Sequence, residues 1–206
     1  MTFLFDIGRV LLDFDFEPPL ARLLPPGTES RRARLALMLD RKDEFETGAI
    51  DPESFIAWAL EVLGSDASPD EFRHAWRHIF TPNLPMWQAV RELAAAGHRL
   101  ILFSNTNAIH CPWAFEHYSQ FSLFPEAVLS FEVGAVKPHP AIYQYAIATY
   151  QLDPATTLYI DDLAENIATG RAHGFHCFQY DLANHHAFLQ WLREEHGVIA
   201  PPAGLS

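Results

Sequence analysis

The residues of this chain that could do chemistry fall in four short polar clusters: Asp6-Ile7-Gly8, Ser104-Asn105, Lys137-Pro138, and Asp161-Asp162 with Asn166 shortly after. Their types match what phosphoryl transfer requires: a carboxylate nucleophile, further carboxylate oxygens for a hard cation, and a lysine with hydroxyl and amide donors for phosphoryl oxygens. Each cluster alone has an ordinary structural use. Asp6, Ser104-Asn105 and Asp161-Asp162 could cap helices, Gly8 could serve a turn, and Lys137 could be a solvated surface lysine. Two adjacent acids directly after Leu158-Tyr159-Ile160 are nonetheless uncommon without a cation. Each cluster also follows an apolar, strand-like run. In a parallel sheet the carboxyl ends of neighbouring strands share one edge, so residues distant in sequence can meet in one crevice.

The elements that would position them can be read from the pattern of apolar residues. Thr2 to Ile7 fits a short buried strand with a carboxylate near its end. From about Glu17 to Thr81 the pattern is helical, without a convincing strand. Helices are expected over Arg31 to Phe45, over Pro52 to Leu63 with Asp51 as N-cap and Gly64 as stop, and from Asp70 through Trp76 to Phe80. From Leu84 onward helix and strand alternate. Helices are expected at Pro85 to Ala96, Ala141 to Tyr150, Ala164 to His173 and Ala183 to Glu195, and strands at Arg99 to Phe103, Ala127 to Ser130, Thr157 to Ile160 and Phe175 to Gln179. The reading is therefore α/β: a Rossmann-like parallel sheet flanked by helices, with a small helical cap inserted after the first strand. The core would take residues 1–16 and 82–200, the cap 17–81, and a loose tail would follow from Pro201.

Composition excludes several classes. With 206 residues and 49% hydrophobic content, the chain can bury one substantial core and a small accessory domain. Its net charge of −12, from 14 Lys+Arg against 26 Asp+Glu, leaves no basic stripe for nucleic acid. No run approaches the roughly 20 apolar residues of a membrane span. Phe3-Leu4-Phe5 is interrupted by Asp6 and Arg9, unlike a signal peptide. Cys111 and Cys177 form no CxxC pair, which fits reduced thiols in a cytoplasm. The 11 His residues include no HExxH, so they are read as scattered surface or loop residues. The sequence gives no reading of oligomeric state.

Phe5-Asp6-Ile7-Gly8-Arg9-Val10-Leu11, Phe103-Ser104-Asn105-Thr106, Val136-Lys137-Pro138 and Tyr159-Ile160-Asp161-Asp162 with Asn166 resemble the four motifs of the haloacid dehalogenase superfamily, over nearly the whole chain. The Asp-x-Gly opening followed by a small helical cap is similar to bacterial sugar phosphatases acting on glucose 1-phosphate. The resemblance implies a Mg²⁺-dependent phosphatase for a small phosphorylated metabolite. Asp6 would attack phosphorus and form an aspartyl-phosphate, and Mg²⁺ would be held by Asp6, the backbone carbonyl of Gly8, and Asp162. Ser104, the Asn105 amide and Lys137 would hold the phosphoryl oxygens. Asp161 would orient Lys137 or a metal-bound water, with Asn166 in the same network.

Two positions depart from the motifs. Many relatives carry a second Asp two residues after the nucleophile as general acid, a group typically worth roughly 10² to 10⁴ in rate; here it is Gly8. A good leaving group, another acid such as Asp13 or Asp15, or slow turnover could each account for it. Arg9 stands where the similar branch usually has Asn. Phe45, Glu46, Trp58 and Trp76 of the insert are specificity candidates, although helix packing is the commoner use of such residues. Two alternatives stand beside the phosphatase: a 2-haloacid dehalogenase, with the same nucleophile acting on carbon without metal, and a non-catalytic phosphometabolite-binding protein.

Overall fold

Residues 1–29 and 31–198 are described in a computed structural model; the expected tail from Pro201 and the end of the core at 200 lie outside them. Strand β1 (Thr2–Phe5) is followed by the short β2 (Leu12–Phe14), then by helices α1 (Glu17–Ala21), α2 (Arg31–Met38), α3 (Lys42–Glu46), α4 (Pro52–Leu63) and α5 (Pro69–Arg77). Strand β3 (Phe80–Pro82) leads into α6 (Leu84–Ala95), β4 (Arg99–Ser104), α7 (His110–His117), β5 (Glu126–Leu129), α8 (Ser130–Val133) and α9 (Pro140–Tyr150). The chain continues through β6 (Thr157–Asp161), α10 (Ala164–Ala172), β7 (His176–Gln179) and α11 (His185–His196). Among the described residues, no helix is long and apolar enough to cross a membrane.

The main sheet runs β5-β4-β1-β6-β7, and every neighbouring pair is parallel. Along β1, Phe3 and Phe5 join one apolar cluster while Leu4 joins another, because successive side chains of an extended strand point to opposite faces. Helices cover both faces, so both must be apolar. Trp87 of α6 with Phe188 and Trp191 of α11 pack against one face, and Ile142, Tyr143 and Ile167 of α9 and α10 against the other. After the insert the chain builds β4 and β5 on one side of β1, then crosses to β6 and β7 on the other. The reversal of strand order thus falls at the carboxyl end of β1, where open α/β sheets form their binding crevice.

The helices between β2 and β3 share an apolar cluster of their own, including Leu35, Met38, Phe45, Phe55 and Phe72, which also takes in Ile109. Helix α4 starts where Asp51 accepts a hydrogen bond from Ser54 N at 3.0 Å and stops at Gly64, with φ of 62°. Helix α5 starts at Pro69, one residue before the expected Asp70, with Ser68 as its N-cap. Ser68 and Glu71 cap each other's backbone reciprocally.

Three features correct the reading from sequence. Phe80–Pro82 is a strand, paired antiparallel with β2, so the insert is rooted on a small ribbon; α5 already ends at Arg77. Three residues are too few for a period-two pattern to show. Arg31 to Phe45 is two helices rather than one, and the second is turned so that Phe45 stacks on Phe55, ring centroids 4.1 Å apart. Helices α7 and α8 were not anticipated.

Candidate active site

Asp6 is set at the end of β1 by its own N–H, which donates to Ile160 O of β6 at 3.0 Å. The chain then turns tightly. The Ile7 carbonyl accepts from both Leu11 N and Leu12 N at 2.9 Å, and the Gly8 carbonyl accepts no hydrogen bond among the described residues. Gly8 lines the same crevice as Asp6, so a free backbone oxygen is presented there. A Cβ at Gly8 would lie 3.2 Å from Phe14 Cε1, so the Phe14 ring fills the space beside it.

Lys137 reaches the crevice from the loop before α9 and is buried. Its Nζ donates to Asp6 Oδ1 at 2.9 Å, Asp161 Oδ2 at 2.6 Å and Phe103 O at 2.7 Å, which engages all three ammonium protons. Asn105 holds the backbone of that residue: its Oδ1 accepts from Lys137 N at 2.7 Å and its Nδ2 donates to Lys137 O at 2.8 Å. The Asn105 side-chain amide is therefore committed to the Lys137 backbone. Ser104, nearly fully buried, lines the cavity with its hydroxyl beside Asp6. Thr106 N donates to Ser130 Oγ at 2.9 Å, and that hydroxyl returns a bond to Thr106 O at 3.0 Å, clamping the loop after β4 onto the end of β5.

Asp161 lies behind this front. Besides Lys137 it accepts from Tyr159 OH at 2.6 Å, Asn166 Nδ2 at 3.0 Å and Leu163 N at 2.9 Å, so it both orients the lysine and caps the turn into α10. Asp162 stands forward in the cavity. One carboxylate oxygen from each of Asp6, Asp161 and Asp162 lies within 4.8 Å of the others. Burial raises Asp6 to about 7, with the Lys137 charge counteracting and the Asp161 charge adding to the rise. Burial and the Asp161 charge raise Asp162 to about 6. Asp161 goes the other way: burial opposes ionisation, but the Lys137 charge and hydrogen bonds hold its pKa below the usual range. Three carboxylates face one ammonium, and the two that resist ionisation are the two that line the cavity. Asp6, Asp162 and the free Gly8 carbonyl form an all-oxygen donor set of the kind a small divalent cation takes, so the residues fit Mg²⁺.

The cavity above this floor measures about 340 Å³. Its upper wall comes from the insert, with Lys42, Phe45, Glu46, Phe55 and Trp76 lining it. Of the specificity candidates, Phe45, Glu46 and Trp76 face the cavity; Trp58 does not, packing instead beside Phe55 with Arg41 over its ring. Arg9 sits at the rim, with φ of 56°, paired with Asp13 and with its guanidinium 4.6 Å from the Phe14 ring centroid. Asp13 is thereby occupied, and Asp15 accepts from Glu17 N at 3.0 Å; neither lines the cavity, so neither stands in for an acid at position 8. Sequence reasoning missed His110, Ser130 and Tyr159. Only Tyr159 left a signal, lying two residues before Asp161 on the same strand and so on the same face.

A family model of haloacid dehalogenase-like hydrolases matches residues 1–174. The chain belongs to this family. It is 27% identical over 184 residues to a D-ribitol-5-phosphate phosphatase of Bacteroides thetaiotaomicron, covering 85% of this chain and 89% of that one. It is 24% identical over 176 residues to a sesquiterpene phosphatase of Aspergillus oryzae, covering 83% and 85%. Among solved structures, a haloacid dehalogenase family enzyme of Bacteroides thetaiotaomicron in complex with magnesium and inorganic phosphate superposes with a TM-score of 0.76 at 24% identity, covering 88% of this chain and 94% of that one. That likeness bears on the fold of this hydrolase, the parallel sheet with its crevice at the end of β1.

Proposed function

We propose that this hydrolase is a Mg²⁺-dependent phosphatase that removes phosphate from a small phosphorylated metabolite, a sugar or polyol phosphate, through an aspartyl-phosphate on Asp6. The observation that carries the reading is the charge arrangement at the cavity floor, where Asp6 and Asp162 project beside a single fully bonded ammonium. A carboxylate about 4 Å from one phosphate charge meets roughly 4 kcal/mol of repulsion at an effective dielectric of about 20. A cation bound by Asp6, the Gly8 carbonyl and Asp162 supplies the compensating charge.

The chain's own residues do the rest. Lys137 and Asp161 fix the Asp6 carboxylate so that one oxygen is held and the other is free to attack. Ser104 lines the space beside Asp6 where transferred oxygens would lie, and the rings of Phe45, Phe55 and Trp76 in the upper wall limit water near the forming bond. Relatives that are phosphatases of a polyol phosphate and of a sesquiterpene support the reaction class, while they differ in the body of the substrate. Dehalogenation fits less well. Its substrate is a carboxylate anion, the cavity floor already carries surplus negative charge, and no arginine of the insert lines the cavity among the described residues.

Phosphate release should be measured with Mg²⁺ over a panel including ribitol 5-phosphate and glucose 1-phosphate. Release that is abolished by Asp6→Asn and by EDTA is expected. Binding of Mg²⁺ with no release from any member would favour a phosphometabolite-binding protein, and halide release from 2-haloacids without metal would favour the dehalogenase.

A further inference from the structure

Breaking a phosphate ester of an alcohol leaves an alkoxide unless a proton arrives with the cleavage, and the loop after β1 offers none. Position 8 is Gly, and the Phe14 ring lies 3.2 Å from where its Cβ would stand. Seven titratable side chains line the cavity: Asp6, Arg9, Lys42, Glu46, His110, Lys137 and Asp162. Asp6 is the nucleophile and Asp162 belongs to the cation site. Lys137 has every proton engaged. A guanidinium does not give up its proton in a protein. His110 engages both ring nitrogens, with Trp76 O at 2.8 Å and Asn107 Nδ2 at 3.1 Å, and burial depresses it to about 3, so it stays neutral and its one ring proton is held by the Trp76 carbonyl. Lys42 is half exposed and runs beside Glu46, its Nζ 3.4 Å from Oε2.

Glu46 remains. It lines the cavity yet is only 9% exposed, and its buried Oε2, which accepts no hydrogen bond, is ion-paired with the Lys42 ammonium at 3.4 Å. A buried carboxyl whose oxygen accepts no hydrogen bond is costly to ionise. The backbone two residues on holds it in place. Gly48, at φ of 73°, lies so close to α8 that a Cβ would stand 2.5 Å from Phe131 O. Burial raises the Glu46 pKa, opposed by the charges of Lys42 and Lys137 and helped by Asp43, so it keeps a proton at pH values where an exposed glutamate has lost one.

We propose that Glu46 is the leaving-group acid of this enzyme, delivered from the cap in place of the missing carboxyl at position 8. The assignment rests on the phosphatase reading above. In the first step an Asp6 oxygen forms the bond to phosphorus, the ester P–O bond breaks, and its electron pair stays on the leaving oxygen, which takes the Glu46 proton. The alcohol departs and Glu46 is left as a carboxylate beside the Lys42 ammonium. In the second step a water oxygen attacks phosphorus, the Asp6–phosphorus bond breaks, inorganic phosphate forms, and a proton of that water returns to Glu46.

The test compares Glu46→Gln with wild type in Mg²⁺ on ribitol 5-phosphate, whose alkoxide needs a proton, and p-nitrophenyl phosphate, whose phenolate leaves without one, reading the first turnover by quenched flow. The substitution is expected to slow the alkyl ester by roughly 10²-fold or more, and the aryl ester at least about tenfold less. Equal losses on both esters, or none on either, overturn the assignment. A wild type that cleaves only the aryl ester overturns it too, since an acid in place would serve the alkyl ester. A wild type that cleaves neither, on these probes or on the wider panel, overturns the phosphatase reading and this assignment with it. Should the Gln variant fail to fold, Glu46→Asp is read on the same pair, with the same differential expected.

Discussion

At the level of single residues, the site is a problem in charge. Asp6 and Asp162 are held above the ordinary carboxylate range by burial, and both face the cavity. A carboxyl whose pKa is raised by folding binds its proton more tightly in the folded chain, so its contribution to stability is complete below the unfolded value. That contribution is lost as pH rises, through about 6 for Asp162 and about 7 for Asp6. Mg²⁺ held by this pair would compete with those protons, so its stabilisation should grow over the same window. Melting temperatures with and without MgCl₂ at about pH 5.5 and pH 8 are expected to show the larger increment at pH 8. Equal increments would mean that the cation does not sit on these carboxylates. The residues of this floor were legible because a carboxylate or lysine directly after an apolar run has few other uses in a parallel sheet. The duties of their individual atoms were not. A motif names Asn105 without saying that its side-chain amide serves the Lys137 backbone, and spacing cannot tell that Asp13 turns toward Arg9 while Glu46, from another helix, faces the cavity.

Among the elements, α10 approaches β6 and β7 closely. A Cβ on Gly170 would stand 2.6 Å from Tyr159 Cδ1 and 2.8 Å from Cys177 Sγ, so this helix can lie where it does only with a hydrogen at that position. The ring in question carries the hydroxyl that donates to Asp161, and α10 supplies Asn166 to the same carboxylate. Gly170→Ala should therefore cost about 1–3 kcal/mol by overpacking. At this chain length that lowers the melting temperature by roughly 2–4 °C per kcal/mol. Phosphatase activity should fall with it as Tyr159 and Asp161 shift. A thermal melt within a degree of wild type, with full activity, would show that α10 has room to move. The alternation of helix and strand after Leu84 was readable because β4 and β6 are buried on both faces and α6, α9, α10 and α11 each run nine residues or more, whereas α7 and the four-residue α8 are too short to show a period. The β2–β3 ribbon and the break between α2 and α3 were not, since both are decided by contacts across the chain, such as Phe14 against Phe80 and Phe45 against Phe55.

For the molecule as a whole, three contacts between the insert and the rest of the described chain bear on the site. The β2–β3 ribbon roots the insert, Gly48 touches Phe131 of α8, and His110 at the start of α7 joins Trp76 of α5 by both a ring stack at 4.8 Å and the hydrogen bond to its carbonyl. With its pKa depressed to about 3 by burial, His110 stays neutral at ordinary pH. Nε2 then carries the hydrogen that Trp76 O accepts, and Nδ1 accepts from Asn107, so this joint does not open by protonation. If the cap closes on ligand, loosening the joint and filling the cavity should act in opposite directions on the same amides. In His110→Ala, amide hydrogen exchange over α3 and α5 is expected to quicken while the five-stranded sheet stays protected, and Mg²⁺ with orthovanadate is expected to slow exchange of those two helices in the wild type. Identical exchange in all three states would make cap and core one rigid body. Glu46 would then have to be in reach of the leaving oxygen without any closure.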